Sequence, residues 1–269
     1  MIALITGASS GIGEATARRI AREPGARLVL VARREERLRA LADELGNGAL
    51  VLAEDLIDEG APARIAAAVE ATHGRLDLLV NNAGAARRGT FADKGYANLR
   101  RTMDINFDAQ VRLTEALLPM LRRSAPSSIV NVASTSGRVA RAGSSAYSAS
   151  KFALIGWSDA LYLEERPHGV HVGLVNPGFV ATEGFPQREL VDRAVTRWIV
   201  STPEKVAEAI VDAGRGGKAE RYVPRPYAVA AALRVLAPGL VRRVLGRGGT
   251  NFSPATGADA ADGAGASRR

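Results

Sequence analysis

Short apolar runs rich in valine, isoleucine and leucine alternate along this chain with longer segments of helical period. The runs are continuous and do not alternate with polar residues, as expected for strands of a parallel sheet covered on both faces. Strict alternation of strand and helix predicts right-handed crossovers. We therefore predict a doubly wound, mostly seven-stranded parallel α/β sheet with helices on both faces. The predicted strands are 2–6, 27–31, 49–53, 76–80, 128–133, 170–176 and 220–223, and the predicted helices are 11–22, 34–45, 59–72, 96–121, 145–166 and 203–214.

The segment TGASSGIG, residues 6–13, joins the first predicted strand to the first predicted helix. Gly7, Gly11 and Gly13 allow a tight turn and a close approach of the backbone to a phosphate, at which the first N–H groups of the helix also point. The spacing G-x-x-x-G-x-G differs from the general G-x-G-x-x-G fingerprint, and a glycine turn can be only a turn. Its place between strand and helix favours nucleotide binding on a Rossmann-type fold.

Tyr147 and Lys151 lie four residues apart in a predicted helix, so they share one of its faces. Lys151 is one of only four lysines in a chain whose other 32 basic residues are arginines. A phenol has a pKa of about 10, and a nearby ammonium can supply the roughly 4 kcal/mol that lowers this pKa by about three units. We expect Tyr147 to act as a general acid or base with help from Lys151. The alternative for Lys151 is a solvated lysine on the helix surface.

Ser134 follows the predicted strand 128–133 and so stands at the carboxyl edge of the sheet, where ligands bind in open α/β folds. Serine at a strand end is commonly only a turn residue. Alongside Tyr147 and Lys151, we expect its hydroxyl to hold a substrate oxygen and to stabilise developing alkoxide charge. Because no histidine or acid is placed to activate Ser134, a serine-hydrolase site is not indicated.

Seven motifs, in order over about residues 1–223, resemble the short-chain dehydrogenase/reductase family. They are TGASSGIG, EDL with Asp55, NNAG at 81–84, Asn106, Ser134, YSASK at 147–151 and NPGFVAT at 176–182. The resemblance implies an oxidoreductase that moves a hydride between a nicotinamide cofactor and an alcohol or carbonyl compound. It also implies that Lys151 binds the cofactor ribose as well as serving Tyr147, and that the Asn106 backbone supports a water linking Lys151 to solvent.

The resemblance assigns the site residue by residue. The predicted catalytic residues are Asn106, Ser134, Tyr147 and Lys151. Asp55 is expected to meet the adenine amino group, and the backbone of Asn82 to Gly84 is expected to pass close to the cofactor. The predicted cofactor-binding residues are Gly7, Ser9, Ser10, Gly11, Ile12, Gly13, Arg33, Asp55, Leu56, Asn82, Ala83, Gly84, Tyr147, Lys151, Pro177, Gly178, Val180 and Thr182.

The end of the second predicted strand, LVLVARREERL, indicates which cofactor is used. Relatives that prefer NAD commonly place an acid where Ala32 stands, to bind the ribose 2′-hydroxyl. Here Arg33 and Arg34 follow at once, and a guanidinium suits a dianionic 2′-phosphate. We predict NADP(H) in preference to NAD(H), with Arg33 on the phosphate. The alternative is that both arginines are solvated at the start of the helix, which suits Arg34 in particular.

The substrate pocket is less well specified. Residues 183–200 contain no clear strand, and such an excursion after the sixth strand commonly forms a lid. Arg138 and Arg141 either recognise an anion or are solvated. The side chains that favour a lipophilic substrate are Val139, Phe179, Phe185 and Trp198. Two other functions stay open: an epimerase or lyase on the same nucleotide site, and a nucleotide-binding or membrane-associated protein without turnover.

The formal net charge of +8 is concentrated at the C-terminal end. From residue 215 onward, ten basic residues stand against three acidic ones, a net of +7 that leaves about +1 for the rest of the chain. Since the basic region carries no recognition motif, we predict no nucleic-acid partner. We predict one domain over 1–223, an apolar and basic extension over 224–248, and a low-complexity, disordered tail over 249–269. Residues 225–247 either contact anionic lipid peripherally or pack against the body or a neighbouring subunit.

The remaining composition narrows the location and chemistry. There are no cysteines and the three histidines do not cluster, so we predict no metal site. The start MIALITG lacks the features of a signal peptide, and no apolar run approaches the roughly 18 residues of a spanning helix. We therefore predict a cytoplasmic protein. By resemblance, helices 96–121 and 145–166 are expected to form the interface of a homodimer or homotetramer.

Overall fold

The seven predicted strands form one parallel sheet in a computed structural model, which describes residues 1–182 and 199–247. The strands are β1 (Ile2–Thr6), β2 (Arg27–Ala32), β3 (Leu50–Ala53), β4 (Leu78–Asn81), β5 (Ser127–Val132), β6 (Val170–Pro177), and β9 (Glu220–Val223), with the short strands β7 (Phe179–Val180) and β8 (Val200–Ser201) paired separately. The spatial order is β3-β2-β1-β4-β5-β6-β9, and every pairing is parallel. The predicted Rossmann-type sheet is confirmed, and its strand order reverses between β1 and β4.

Helices cover both faces of this sheet and close one apolar core on each. They are α1 (Gly11–Ala21), α2 (Glu35–Leu45), α3 (Ala61–His73), α4 (Phe91–Met103), α5 (Ala109–Arg123), α6 (Ser145–Glu165), α7 (Pro203–Gly214), α8 (Tyr227–Leu236) and α9 (Pro238–Arg247). On one face, Ile20 of α1 and Ile210 of α7 belong to a single buried cluster. On the other face, Leu113 of α5 and Leu161 of α6 belong to a second buried cluster. The continuous apolar strands are therefore buried from both sides.

The prediction of one continuous α-helix over 96–121 is wrong in one respect. The chain runs from α4 to α5 through a π-helical turn, Asp104–Asp108, which shifts the hydrogen-bond register. Such single turns of π-helix are frequent at functional sites because they re-aim a side chain without ending the helix. The re-aimed side chain here is that of Asn106, which is fully buried.

The predicted lid over 183–200 falls almost entirely on residues 183–198, which lie outside the described residues. The described chain on either side of it is held together, because β7 pairs with β8 in parallel, Phe179 opposite Val200 and Val180 opposite Ser201. The described residues that flank the segment therefore pair with each other directly after β6, beside the carboxyl edge of the large sheet.

The C-terminal extension forms the two helices α8 and α9. They are separate helices, because Pro238 starts α9 two residues after α8 ends at Leu236. Within residues 1–182 and 199–247, the structure has no helix that is both long and apolar enough to cross a membrane. The tail predicted to be disordered, 249–269, lies outside the described residues, and the division into domain, extension and tail stays a prediction.

Candidate active site

The turn between β1 and α1 depends on glycine at three places. Gly7 and Gly11 adopt φ angles of 67° and 58°, in the left-handed region that favours glycine. A Cβ atom at Gly13 would overlap the carbonyl oxygen of Gly7, so the first turn of α1 packs directly on the loop. Ser10 is the N-cap residue, and its side chain makes no capping hydrogen bond to the described part of the helix. The first N–H groups of α1 therefore remain available to an anion.

The loop after β4 is tied to this glycine turn. The hydroxyl of Thr6 accepts from the N–H groups of Asn82 and Ala83, each at 2.9 Å, and the Asn82 amide donates to the carbonyl of Thr6 at 2.9 Å. The Asn82 side chain thus holds the ends of β1 and β4 together at the point where the strand order reverses. Its backbone and that of Ala83 lie at the predicted ligand edge.

The remaining predicted cofactor residues lie around the same edge. Leu56 is buried and Asp55 is exposed, with a carboxylate oxygen that accepts from the Ile57 N–H at 3.1 Å. Thr182 lies across from Gly11, and a Cβ atom added at Gly11 would be 3.3 Å from the Thr182 side chain. Val180 is buried, and Pro177 ends β6. Gly178 lies under the ring of Tyr227, which a Cβ at residue 178 would overlap. The NPGFVAT motif thus contacts both the glycine turn and α8.

Of the two arginines after β2, Arg34 is the one that contacts the glycine turn. Its guanidinium donates to the hydroxyl of Ser10 at 2.7 Å and to that of Ser9 at 3.1 and 3.2 Å. Arg33, the predicted phosphate ligand, is exposed, and so is Arg34 at the N-cap of α2. The alternative that both arginines are solvated at the start of the helix stays open, although the Arg34 side chain folds back over the loop. The sequence offered one signal of this contact, namely two consecutive serines in the glycine turn and two consecutive arginines after β2.

The Asn106 side chain joins three elements. Its amide nitrogen donates to the carbonyl of Ala85 at 3.0 Å and to the hydroxyl of Ser150 at 3.0 Å, and its oxygen accepts from the Ala85 N–H at 2.8 Å. Ser150 in turn donates to the carbonyl of Tyr147 at 2.8 Å. The π-helical turn therefore positions both the loop after β4 and the turn of α6 that carries Tyr147. The role implied for the Asn106 backbone stays a prediction.

Tyr147, Lys151 and Ser134 are brought together by α6 and the end of β5. The Lys151 side chain is only 4% exposed, its ammonium donates to the carbonyl of Val132 at 2.9 Å, and it lies 6.0 Å from the centre of the Tyr147 ring. Ser134 accepts from the N–H of Ser136 at 3.1 Å, which fixes the orientation of its hydroxyl. A hydrogen bond with Ser134 acts on the Tyr147 phenol. The alternative of a solvated surface lysine is therefore wrong.

The acid–base properties of the pair differ from the simple expectation. Desolvation raises the pKa of Tyr147, while the hydrogen bond with Ser134 and the positive charge of Arg88 lower it to a lesser extent. Burial lowers the pKa of Lys151 to about 8. The ammonium of Lys151 is directed at the Val132 carbonyl, so the cation that acts on Tyr147 in this structure is Arg88. Arg88 belongs to the segment AGAARRGT, residues 83–90. The sequence alone does not indicate which of its two arginines acts on Tyr147.

A cavity of about 280 Å³ opens beside Ser134, between the sheet edge and the C-terminal helices. Thr135 and Phe179 line it from the body, and Tyr227, Ala231 and Leu245 line it from α8 and α9. The predicted wall residue Val139 also lines it, whereas Phe185 and Trp198 lie outside the described residues. The arrangement combines a proton donor, a hydroxyl, an ammonium and an apolar cavity at one edge of a nucleotide-binding fold.

Comparisons with known proteins agree with this geometry. The family profile of short chain dehydrogenases matches residues 1–190. An oxidoreductase of Bacillus subtilis (strain 168), the uncharacterized YxnA, is 36% identical over 256 residues, which span 91% of this chain and 71% of that protein. Dehydrogenase/reductase SDR family member 7B of Xenopus laevis is 34% identical over 262 residues, which span 89% of this chain and 79% of that protein.

A solved structure shows the same architecture. The crystal structure of a short-chain dehydrogenase from Streptomyces avermitilis superimposes with a TM-score of 0.76 at 32% sequence identity, covering 93% of this chain and 98% of that one. Fold, motif order and sequence similarity thus lead to the same family: this chain is a member of the short-chain dehydrogenases.

Proposed function

We propose that this chain is an NADP(H)-dependent oxidoreductase that interconverts a lipophilic alcohol and the corresponding ketone or aldehyde, with Tyr147 as general acid/base. The observation that carries the proposal is the convergence of Ser134, Tyr147 and Lys151 at the sheet edge that also holds the glycine turn. Lys151 links these three residues to the glycine turn. A Cβ atom added at Gly84 would lie 3.7 Å from the Lys151 ammonium, and Gly84 directly follows the residues after β4 that are tied to the turn.

The residues at the glycine turn fit a dinucleotide. The uncapped start of α1 and the close-packed glycines suit a pyrophosphate, which needs N–H donors and an unobstructed backbone. A bound nicotinamide would supply or accept the hydride. Arg34, held by Ser9 and Ser10 at the end of β2, suits a 2′-phosphate through its remaining N–H donors, and Arg33 beside it is a second cation.

The proton chemistry belongs to Tyr147. Its raised pKa keeps the phenol protonated at neutral pH, which is the form that donates a proton to the oxygen of a carbonyl substrate. Ser134 can hold the same oxygen if its hydroxyl turns away from the Pro177 carbonyl, to which it donates at 3.4 Å, while the Ser136 N–H continues to occupy one acceptor site. In the opposite direction, the Arg88 charge and the bond with Ser134 favour the phenolate that accepts a proton from an alcohol.

Asn106 and Lys151 support this centre in the proposal. Asn106 positions the backbone of Tyr147 through Ser150, and Lys151 holds a buried positive charge beside the loop after β4. A buried ammonium whose pKa is about 8 can exchange a proton near neutral pH, as a relay to the tyrosine requires. The apolar cavity beside Ser134 supports a lipophilic substrate.

The proposal is tested by titrating NADPH and NADH into the purified protein and following nicotinamide fluorescence, and then by following NADPH absorbance with medium-chain ketones and aldehydes. We expect tighter binding of NADPH than of NADH, and turnover of apolar carbonyl compounds. Binding of neither cofactor would favour the protein without turnover. Tight binding with no redox turnover of any substrate would favour an epimerase or lyase on the same site.

We also propose that the chain assembles as a homodimer or homotetramer through the predicted helices 96–121 and 145–166, which correspond to α4, the π-helical turn and α5, and to α6. Phe152 and Leu163 of α6 are large apolar side chains exposed on the surface, at 44% and 68%. Sedimentation equilibrium is expected to give a mass of two or four chains, and Leu163→Glu is expected to reduce it. A monomer at all concentrations would overturn this assembly.

The C-terminal helices support a second contact, with anionic lipid. Residues 224–247 contain no acidic residue, and Arg225, Arg242 and Arg243 are exposed beside apolar side chains. The exposed apolar side chains of α8 and α9 are Val229, Leu233, Val235, Leu236, Leu240, Val244 and Leu245. Apolar side chains flanked by arginines are the pattern of a helix that lies in a membrane interface. A neighbouring subunit is the other surface that would cover them.

A further inference from the structure

Two arginines next to the cavity, Arg138 and Arg141, differ in their electrostatic partners. Arg138 lies 3.0 Å from the carboxylate of Glu220 and 3.6 Å from that of Asp159, so its charge is neutralised within the protein. The guanidinium of Arg141 makes no ion pair with any acidic residue in the described ranges 1–182 and 199–247. It lies over the ring of Phe179 instead, 4.5 Å from the ring centre.

Arg141 belongs to the wall of the cavity itself. It lines the cavity together with Phe179, Tyr227 and the apolar side chains of Val139 and Ile199. Stacking on Phe179 uses the flat face of the guanidinium and leaves the N–H groups at its edge to donate elsewhere. Desolvation lowers the pKa of Arg141, and the opposing contribution comes from Tyr227, whose own raised pKa keeps its phenol neutral near pH 7. The residue as a whole is exposed, so an oxyanion can reach the edge of the guanidinium while its face rests on Phe179.

The cavity is connected to the catalytic residues. Thr135, which lines it, directly follows Ser134 in the chain. Desolvation and the charge of Arg141 lower the pKa of Arg88, and the charge of Arg88 in turn contributes to lowering the pKa of Tyr147. The arginine in the cavity wall is therefore linked electrostatically, through Arg88, to the tyrosine of the candidate site.

We propose that the cavity binds the anionic end of an amphipathic substrate, an oxyanion held by Arg141 on a medium-length apolar chain. This inference rests on the proposed function and names its substrate class. The carboxylate or phosphate pairs with the N–H edge of Arg141, and the apolar chain packs on Phe179, Val139 and the α8 side chains. The volume of about 280 Å³ is near the lower end of small-molecule sites, which suits a chain of medium length rather than a long lipid.

The test measures ligand binding to the NADPH-saturated protein by calorimetry, with decanoate, decyl phosphate and decanol as probes. The variants are Arg141→Met, which removes the cation at similar length, Arg141→Lys, which keeps a charge, and Arg138→Met as the matched control. We expect both anions to bind the wild-type protein more tightly than decanol. Arg141→Met is expected to weaken anion binding about 10- to 100-fold, the range of a charged hydrogen bond.

The pattern across probes decides the outcome. We expect decanol binding to be unchanged in Arg141→Met, anion binding to be unchanged in Arg138→Met, and Arg141→Lys to recover part of the loss. Preference for decanoate over decyl phosphate, or the reverse, identifies the oxyanion. Equal binding of decanol and the anions, or anion binding that survives Arg141→Met, would overturn the site. If the wild-type protein does not bind NADPH at all, that result would instead contradict the proposed function.

Discussion

Lys151 donates its hydrogen bond to the backbone carbonyl of Val132, 2.9 Å away, and not to the phenol one helical turn before it. The consequence is that the lysine is anchored to the end of β5 while Tyr147 lies between Ser134 and the charge of Arg88. The two residues share one face of α6 as their spacing predicted, yet they are held by different neighbours. Lys151 is thus anchored by the backbone of β5, whereas the pKa of Tyr147 depends on other neighbours.

Tyr147→Phe removes the phenolic proton and keeps the ring. We expect turnover to fall at least about 100-fold, the lower range for a positioned general acid. NADPH affinity is expected to stay within a factor of a few, because the ring still fills its place on α6. Fluorescence titration and steady-state rates on the same preparation check both expectations. A variant that turns over at the wild-type rate would remove Tyr147 from the mechanism while leaving the fold untouched.

Arg34→Ala removes the guanidinium that lies on Ser9 and Ser10. We expect NADPH affinity to fall about 10- to 100-fold, as for one charged hydrogen-bonded contact, and NADH affinity to change little. Arg33→Ala is the matched variant one residue away on the exposed side of the turn. An equal loss for both cofactors in Arg34→Ala would show that this arginine only stabilises the loop. A selective loss in Arg33→Ala alone would support the assignment of Arg33 to the phosphate that the sequence predicts.

Lys151 predicts a pH-dependent stability. Its pKa falls from 10.5 in the unfolded chain to about 8 in the folded protein. Between these values the unfolded state binds the extra proton, so the free energy of unfolding rises with pH across this window. The gain approaches about 3 kcal/mol at the top of the window, at roughly 1.4 kcal/mol per pKa unit.

Comparison with Lys151→Met isolates this effect, since other titrating groups are common to both proteins. Urea unfolding at several pH values between 7 and 10 is expected to show wild type gaining stability relative to the variant as the pH rises. Parallel curves would mean that burial does not lower the lysine pKa. An opposite slope would mean that the folded protein stabilises the ammonium.

Gly13→Ala tests the close packing of the glycine turn. The added Cβ would overlap the carbonyl oxygen of Gly7, which the backbone cannot avoid without shifting. We expect a loss of about 1–3 kcal/mol in stability, as for overpacking, and a larger loss in NADPH binding because α1 moves away from the phosphates. Gly239→Ala in the first turn of α9 is the control, since nothing within 4 Å meets its Cβ. Helix propensity predicts that this control gains stability slightly.

The C-terminal helices give a prediction about lipid. Val235 and Leu236 are 76% and 80% exposed at the end of α8. Flotation with vesicles of phosphatidylcholine and phosphatidylglycerol is expected to recover the protein, and recovery should fall with vesicles of phosphatidylcholine alone or at high salt. Leu236→Glu is expected to reduce recovery without changing the sedimentation mass. A drop in mass with no effect on flotation would assign the same face to a subunit contact.

The sheet and its order of elements follow from the sequence because buried parallel strands are continuous apolar runs, as in LLVN of β4 and SSIVNV of β5. The Tyr147 and Lys151 pair also follows, since helical spacing alone puts the two on one face. These features depend on local pattern, and local pattern is what a single sequence contains.

Other features depend on where side chains point after folding. The π-helical turn at Asp104–Asp108 keeps helical periodicity on both sides, so the apolar pattern does not reveal it. Arg33 and Arg34 are chemically identical, and only the exit angle of the chain from β2 decides which one reaches Ser10. The direction of the Tyr147 pKa depends on desolvation by several distant segments, which spacing cannot report.

Because the ring of Tyr227 packs on Gly178, the last two helices form part of the wall of the proposed substrate cavity. Tyr227 also donates its hydroxyl to the carbonyl of Ile199 at 3.2 Å, so one side chain fastens α8 to both flanks of the segment that β7 and β8 bracket. Substitutions in α8 and α9 can therefore reshape the entrance and the walls of the cavity while the tyrosine and lysine stay in place. If the proposed function holds, the choice of substrate is set at the C-terminal end of the chain, separately from the residues proposed to carry out the chemistry.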